Sequence, residues 1–148
     1  MTSEISTNSA DAKEILLHLE TCDATFYPRL SERVDLADYA VKLAQNATRF
    51  EAYSDGRLIG LVAAYCNAAD RNTAFVSNVS VDPKQRGQGI ARKLMFACID
   101  HVGNLYFKRL SLEVDPTALA AIRLYRGLGF SEETDQPNGT LKMCLVLG

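Results

Sequence analysis

The sequence predicts an α/β (α+β) fold, a mixed β-sheet packed by helices, and three stretches carry that expectation. Thr73 to Val81 reads as a strand that leads, through a loop with two glycines one residue apart, straight into an amphipathic helix. Leu58 to Tyr65 is almost continuously apolar, as a strand covered on both faces should be, and it follows an Asp55-Gly56 turn signal. Arg109 to Val114 alternates apolar and polar residues and is followed by a helical stripe of Ala121, Leu124, Tyr125 and Leu128.

The 148 residues suffice for one domain, residues 1–148, with a real core. The apolar fraction, 47%, is that of an ordinary globular protein, and a net charge of −2 advertises no basic field for nucleic acid. No apolar run approaches the length of a membrane span, and Met1-Thr2-Ser3-Glu4 lacks the features of a signal peptide, so the cytoplasm is the expected compartment. Cys22, Cys66, Cys98 and Cys144 lie far apart with no Cys-x-x-Cys pair; reduced thiols are expected rather than disulfides, and no metal constellation is present.

Taken in order, Glu4 to Ser9 reads as a short strand. Asp11 and Glu14 make a capping box for a helix with Ala12, Ile15, Leu16 and Leu19 on one face. Phe26-Tyr27-Pro28-Arg29-Leu30 breaks it, and a second helix follows Asp35 with Leu36, Tyr39, Ala40, Leu43 and Ala47 inward. Phe50 to Tyr65 reads as a hairpin, because a type I′ turn needs positive φ at both central residues and Asp55-Gly56 supplies it. In Thr73 to Val81 the alternation slips: Ala74 and Val76 share one parity, Val79 and Val81 the other. A one-residue bulge near Ser77-Asn78 puts Val76, Val79 and Val81 on one face. Ala91, Leu94, Met95, Cys98, Ile99 and Val102 form the buried stripe of the next helix. Between Arg109 and Val114, Leu110, Leu112 and Val114 face one way, Ser111 and Glu113 the other. Asp115-Pro116 reads as an N-cap followed by proline at the first helical position, Gly129 as a C-terminal cap, and Leu141, Met143, Leu145 and Leu147 as a last strand. His18 and His101 read as surface or packing residues.

The loop before the main helix points to an anion. Glycines at a helix N-terminus let backbone N–H groups converge, and the helix dipole adds positive charge there. Arg86 and Arg92 flank the site. The dinucleotide fingerprint needs a third glycine where Arg92 stands, and the P-loop needs a Gly-Lys-Ser/Thr that is absent. Arg86-x-x-Gly89-x-Ala91 instead resembles the acyl-CoA-binding motif of the GNAT N-acetyltransferase family. Ala121-Ile122-Arg123-Leu124-Tyr125-Arg126-Gly127-Leu128-Gly129-Phe130 resembles that family's second signature, and the resemblance covers most of the chain from Phe50 onward.

The resemblance implies the GNAT fold, a mixed, mostly antiparallel sheet of six to seven strands flanked by about four helices. It implies a transferase that moves the acetyl group of acetyl-CoA, its co-substrate, to a primary amine. Val79, Ser80 and Val81 would pair with the pantetheine amides, and Arg86, Gly87, Gln88, Gly89, Ile90, Ala91 and Arg92 would hold the pyrophosphate. Tyr125 would protonate the departing thiolate. Glu113 would be the base, because it stands at the strand position, and at the distance from Tyr125, used by enzymes that acetylate ribosomal-protein N-termini. By periodicity alone Tyr125 is a core aromatic, and Glu113 at an exposed strand end is merely solvated. Many family members carry asparagine where this chain has Ala118. For the acceptor, Tyr27, Arg29 and Arg33 in the loop between the first helices are candidates to bind an anionic or sugar-like molecule, and a solvated loop explains them equally; Asn78 is a further candidate that either points into the cleft or caps the bulge. The expected acceptor is a small-molecule amine such as an amino sugar. Protein N-terminal or lysine acetylation and non-catalytic acyl-CoA binding are the alternatives. No nucleic-acid or membrane partner is expected, and the protein is expected to act as a monomer or homodimer.

Overall fold

The computed structural model of the chain describes residues 4–26, 28–133 and 139–148. Its elements are β1 (Glu4–Thr7), α1 (Ala12–Cys22), α2 (Leu36–Asn46), β2 (Thr48–Ser54), β3 (Arg57–Tyr65), β4 (Thr73–Val81), α3 (Ile90–Asn104), β5 (Arg109–Val114), α4 (Leu119–Gly127), β6 (Ser131–Glu132) and β7 (Leu141–Val146). The strands form one seven-stranded sheet in the order β1-β2-β3-β4-β5-β7-β6. Every neighbouring pair is antiparallel except β4 and β5, which run parallel.

The helices divide between two cores. Ile90, Leu94, Met95, Cys98 and Val102 of α3, with Ile122 and Tyr125 of α4, pack on the sheet face that carries Ile59, Val62, Val76, Leu110, Leu112 and Met143. Ile15 and Leu19 of α1 and Ala40 and Leu43 of α2 pack on the other face, against Leu58, Leu61 and Ala63 of β3. Among the described residues, β3 is the strand that supplies the sheet side of this second core. β3 is buried from Leu58 to Ala64 because helices cover it from both sides.

Local chemistry explains the boundaries. Glu14 N donates to Asp11 Oδ1 at 2.8 Å while Asp11 N donates to Glu14 Oε1 at 3.2 Å, the reciprocal capping box expected for α1. Asp55 and Gly56 have φ of 52° and 74°, as a type I′ turn requires. Gly129, at φ 105°, closes α4: its N–H reaches Arg126 O, and Phe130 N–H reaches Tyr125 O. One boundary differs from expectation. Asp115 caps no helix; its Oδ1 accepts from Thr117 N at 2.7 Å in a separate turn, and α4 starts at Leu119 behind Ala118, which offers no side-chain cap. A short polar side chain before proline stabilises a turn as readily as a helix start.

The bulge lies where the alternation slips. β3 pairs Ala63 with Asn78 and Ala64 with Val76, skipping Ser77. Val76 then faces the α3 core together with Val79 and Val81, while Asn78 and Ser80 turn toward α1. Beyond periodicity's reach lies a buried ion pair. Arg49 Nε meets Glu51 Oε2 at 3.2 Å, with Glu51 fully buried. Arg49 also donates to the carbonyls of Leu43, Ala44 and Ala47 at the end of α2 and of Ala10 before α1, and Glu51 accepts from Ser9 N and Ala10 N. These partners satisfy both charges and tie α1 and α2 to β2.

Candidate active site

The sheet opens at its one parallel pair. β4 and β5 share only Thr73↔Arg109, Ala74↔Leu110 and Phe75↔Ser111, although β4 runs on to Val81 and β5 to Val114. Among the described residues β4 pairs beyond the bulge with β3 alone, so its other edge offers backbone donors and acceptors to the opening. Such an edge accepts an extended amide-bearing ligand by strand addition.

The N-terminus of α3 stands after this edge. Asp82, 2% exposed, fixes the approach: its N–H donates to Ile59 O at 2.8 Å, its Oδ1 accepts from Lys84 N at 2.9 Å, and its Oδ2 meets Arg57 Nη2 at 2.9 Å. Burial works against the charge, but the Lys84 N–H and Arg57 outweigh it and hold the carboxyl below its usual range. Gly87 and Gly89 lie in the left-handed region at φ 81° and 75°. No side chain caps α3, and its first turn holds no acid, so its leading N–H groups remain free for an anion. Arg86, Gly87, Gln88, Gly89 and Arg92 are exposed, Ala91 is half-buried, and Ile90 is buried in the core, so Ile90 contributes backbone only. A Cβ on Gly60 would sit 2.7 Å from Ile90 Cγ2; that glycine lets the start of α3 settle on β3. Phosphate oxygens fit the loop's donors, and amides fit the strand edge. The residues present therefore match a CoA-like ligand.

Tyr125 and Glu113 lie on opposite faces of the sheet. Tyr125, on α4, is 6% exposed in the α3-side core with Val79 and Val81, and its ring meets Phe130 edge-on at 6.0 Å. Burial pushes its phenol up to about 12. Glu113 lies on the other face of β5, exposed, and its Oε1 accepts from Thr140 Oγ1 at 2.7 Å. Ser111 shares that face and is buried.

Among the acceptor candidates, Arg29 and Arg33 are exposed on the loop between α1 and α2, and Tyr27 lies outside the described residues. Asn78 follows the bulge on β4. It is 3% exposed, and its Oδ1 accepts from Ser80 Oγ at 2.8 Å. His18 Nε2 lies 2.9 Å from Ser80 Oγ, which itself donates to Asn78 Oδ1. Burial lowers His18 to about 4. Periodicity placed His18 on a helix without naming a partner; the signal was the polar Asn78 and Ser80 in the β4 alternation, which need donors on the helix above them. All four cysteines are free. Among the described residues no His, Cys, Asp or Glu cluster is built to hold a metal, and no helix is long and apolar enough to cross a membrane.

Residues 13–130 match the acetyltransferase (GNAT) family. The chain is 37% identical over 89 residues to mycothiol acetyltransferase of Thermobispora bispora, a stretch covering 57% of this chain and 30% of that protein. It is 29% identical over 125 residues to the [ribosomal protein bS18]-alanine N-acetyltransferase of Escherichia coli K12, covering 81% of this chain and 82% of that one. The crystal structure of the ribosomal-protein-S18-alanine N-acetyltransferase from Escherichia coli superposes with a TM-score of 0.79 at 25% identity, over 99% of this chain and 95% of that chain. PaiA N-acetyltransferase of Thermoplasma acidophilum, solved in complex with coenzyme A, shares the fold with a TM-score of 0.77 at 15% identity, over 99% of both chains. The match takes in both the glycine loop and the Tyr125 segment and spans most of the chain: the protein belongs to the acetyltransferase (GNAT) family.

Proposed function

We propose that residues 1–148 act as an N-acetyltransferase domain that transfers the acetyl group of acetyl-CoA to the primary amine of a small molecule. One observation carries this reading: the uncapped, acid-free N-terminus of α3 follows directly from the unpaired edge of β4. Gly87, Gly89, Arg86 and Arg92 would hold the pyrophosphate, and the Val79–Val81 backbone the pantetheine amides. Bound acetyl-CoA supplies the activated thioester. Glu113, exposed on its strand, would receive the proton of an incoming ammonium directly or through water. A backbone N–H near Val79 faces charge building on the carbonyl oxygen. Tyr125 donates to the leaving sulfur. A phenol near 12 is a weaker acid than a thiol of ~8.5, so complete transfer to a free thiolate is uphill by about 5 kcal/mol. Hydrogen-bond donation as charge builds is the role this burial suits.

Protein N-terminal acetylation is the second reading, favoured by the match to the bS18-alanine enzyme over 82% of that enzyme's length. Free-thiol release from acetyl-CoA against amino sugars, polyamines, amino acids and N-terminal peptides separates the two by which class turns over. Acetyl-CoA binding without turnover on any of them points to a non-catalytic binder instead. With an acceptor in hand, Tyr125→Phe is expected to lower kcat by roughly 10- to 100-fold with KM for acetyl-CoA little changed. Glu113→Gln should remove the acidic limb of the kcat/KM profile. An unchanged kcat in the first variant, or an unchanged limb in the second, removes that residue from the mechanism.

A further inference from the structure

The β4 bulge is held from outside the sheet. Ser77 is the residue that the β3–β4 ladder skips, so its carbonyl stands outside the strand pairing. Tyr39, on α2, is half-buried and brings its hydroxyl 2.6 Å from Ser77 Oγ and 3.3 Å from Ser77 O. With the phenol proton on the carbonyl, the serine proton goes to the phenol oxygen, and one side chain occupies both polar groups of the bulged residue. Burial raises the Tyr39 phenol above its ordinary value, so it keeps its proton through the neutral range. A second tyrosine is close by. Tyr65, paired with Phe75 at the end of β3, also has Ser77 within its reach, the serine hydroxyl acting to lower its phenol, but among the described residues its buried hydroxyl makes no hydrogen bond of good geometry. The short contact of Ser77, at 2.6 Å, is the one to Tyr39.

The location gives this contact a consequence. The last β4–β5 pair is Phe75↔Ser111, two residues before Ser77, so the bulge sits where the sheet parts. It also sets the phase that turns Val79 and Val81 toward the Tyr125 core and Asn78 and Ser80 toward α1. A slip of one residue would reverse every one of these directions. We propose that Tyr39 is a positioning residue for acetyl transfer: it fixes the bulge that aims the β4 edge at the thioester. This rests on the acetyltransferase reading above. It also makes α2, which packs with α1 beside the acceptor loop, a mechanical link from the acceptor side to the cofactor strand.

The test is a cycle of Tyr39→Phe, Ser77→Ala and the double variant, with Tyr65→Phe as control, measured by steady-state kinetics on the best acceptor of the panel and by amide hydrogen exchange at Asn78. Tyr39→Phe is expected to lower kcat about 5- to 10-fold with KM for acetyl-CoA within about twofold, a loss of the size one hydrogen bond can control. The double variant should be no worse than the weaker single, Asn78 exchange should quicken, and Tyr65→Phe should match the parent. A Tyr39→Phe enzyme with parental kcat, or additive losses in the cycle, overturns the role of Tyr39 and leaves acetyl transfer standing. A parent that binds no acetyl-CoA overturns acetyl transfer and this proposal with it.

Discussion

The helices on the two faces of the sheet begin in opposite ways. α1 starts with Asp11 as N-cap and Glu14 at the third helical position; α2 starts with Asp35 and has Asp38 at the same place. α3 starts with Gly89, in the left-handed region, and has Arg92 there. α1 and α2 close their own N-termini with acids; α3 and α4 carry no such cap, and of these two α3 alone has a cation, Arg92, in its first turn. The difference separates a helix end built for stability from the one we propose holds an anion. Changes at the α3 end should alter cofactor affinity and spare stability, and changes at the α1 end should do the reverse.

The largest effect expected comes from making α3 resemble α1. Arg92→Glu puts an acid at the third position, complements the helix dipole, and removes a cation from the phosphate site. Calorimetry should show the Kd for CoA rising roughly 30-fold while Tm holds or rises slightly. A Kd within twofold of the parent would break the comparison.

The α1 side should respond to acid instead. His18 is buried neutral with its pKa lowered from 6.5 to about 4. The unfolded chain therefore binds the extra proton between those values, and stability present above pH 6.5 is lost as pH falls toward 4. From this group alone the parent should lose about 2 kcal/mol between pH 7 and pH 5. Denaturant titrations of His18→Gln at both pH values should show a smaller drop, because glutamine keeps a donor for Ser80 and does not titrate. An equal drop in both proteins would assign the acid sensitivity elsewhere.

The smallest effect is the cap itself. Asp11→Ala should destabilise by about 1 kcal/mol, a Tm decrease of about 2–4 °C, with CoA affinity unchanged. A weaker Kd for CoA would mean that the two ends are coupled.

The same contrast explains what was legible in the residues. The Asp55-Gly56 turn, the Asp11–Glu14 box, the phase slip at Ser77 and the glycine loop are local signals, each stated within a few neighbouring residues, and the structure contains all of them. The helix start at Asp115-Pro116 failed because a turn uses the same local chemistry as a cap. The contacts that tie α1 and α2 to the sheet are non-local: Arg49 gathers carbonyls from the end of α2 and from Ala10 before α1, His18 reaches Ser80 across 62 positions, and Tyr39 reaches Ser77 across 38. An inward tyrosine or histidine on a helix stripe looks like packing until the strand opposite it is known. The cofactor side can be read from motifs because glycine geometry and helix ends are local. The acceptor side is assembled by tertiary contacts, and the acceptor has to be found by assay.

The most direct test follows the backbone amides while acetyl-CoA is added to the labelled protein. At saturation the largest chemical-shift changes are expected at Gly87, Gly89, Ile90 and Ala91, with a second group at Val79 to Val81 and none at Asp11 to Glu14. Loop amides that stay in place while the protein is saturated, or a protein that takes up no acetyl-CoA, would contradict the assignment of the α3 N-terminus as the pyrophosphate site.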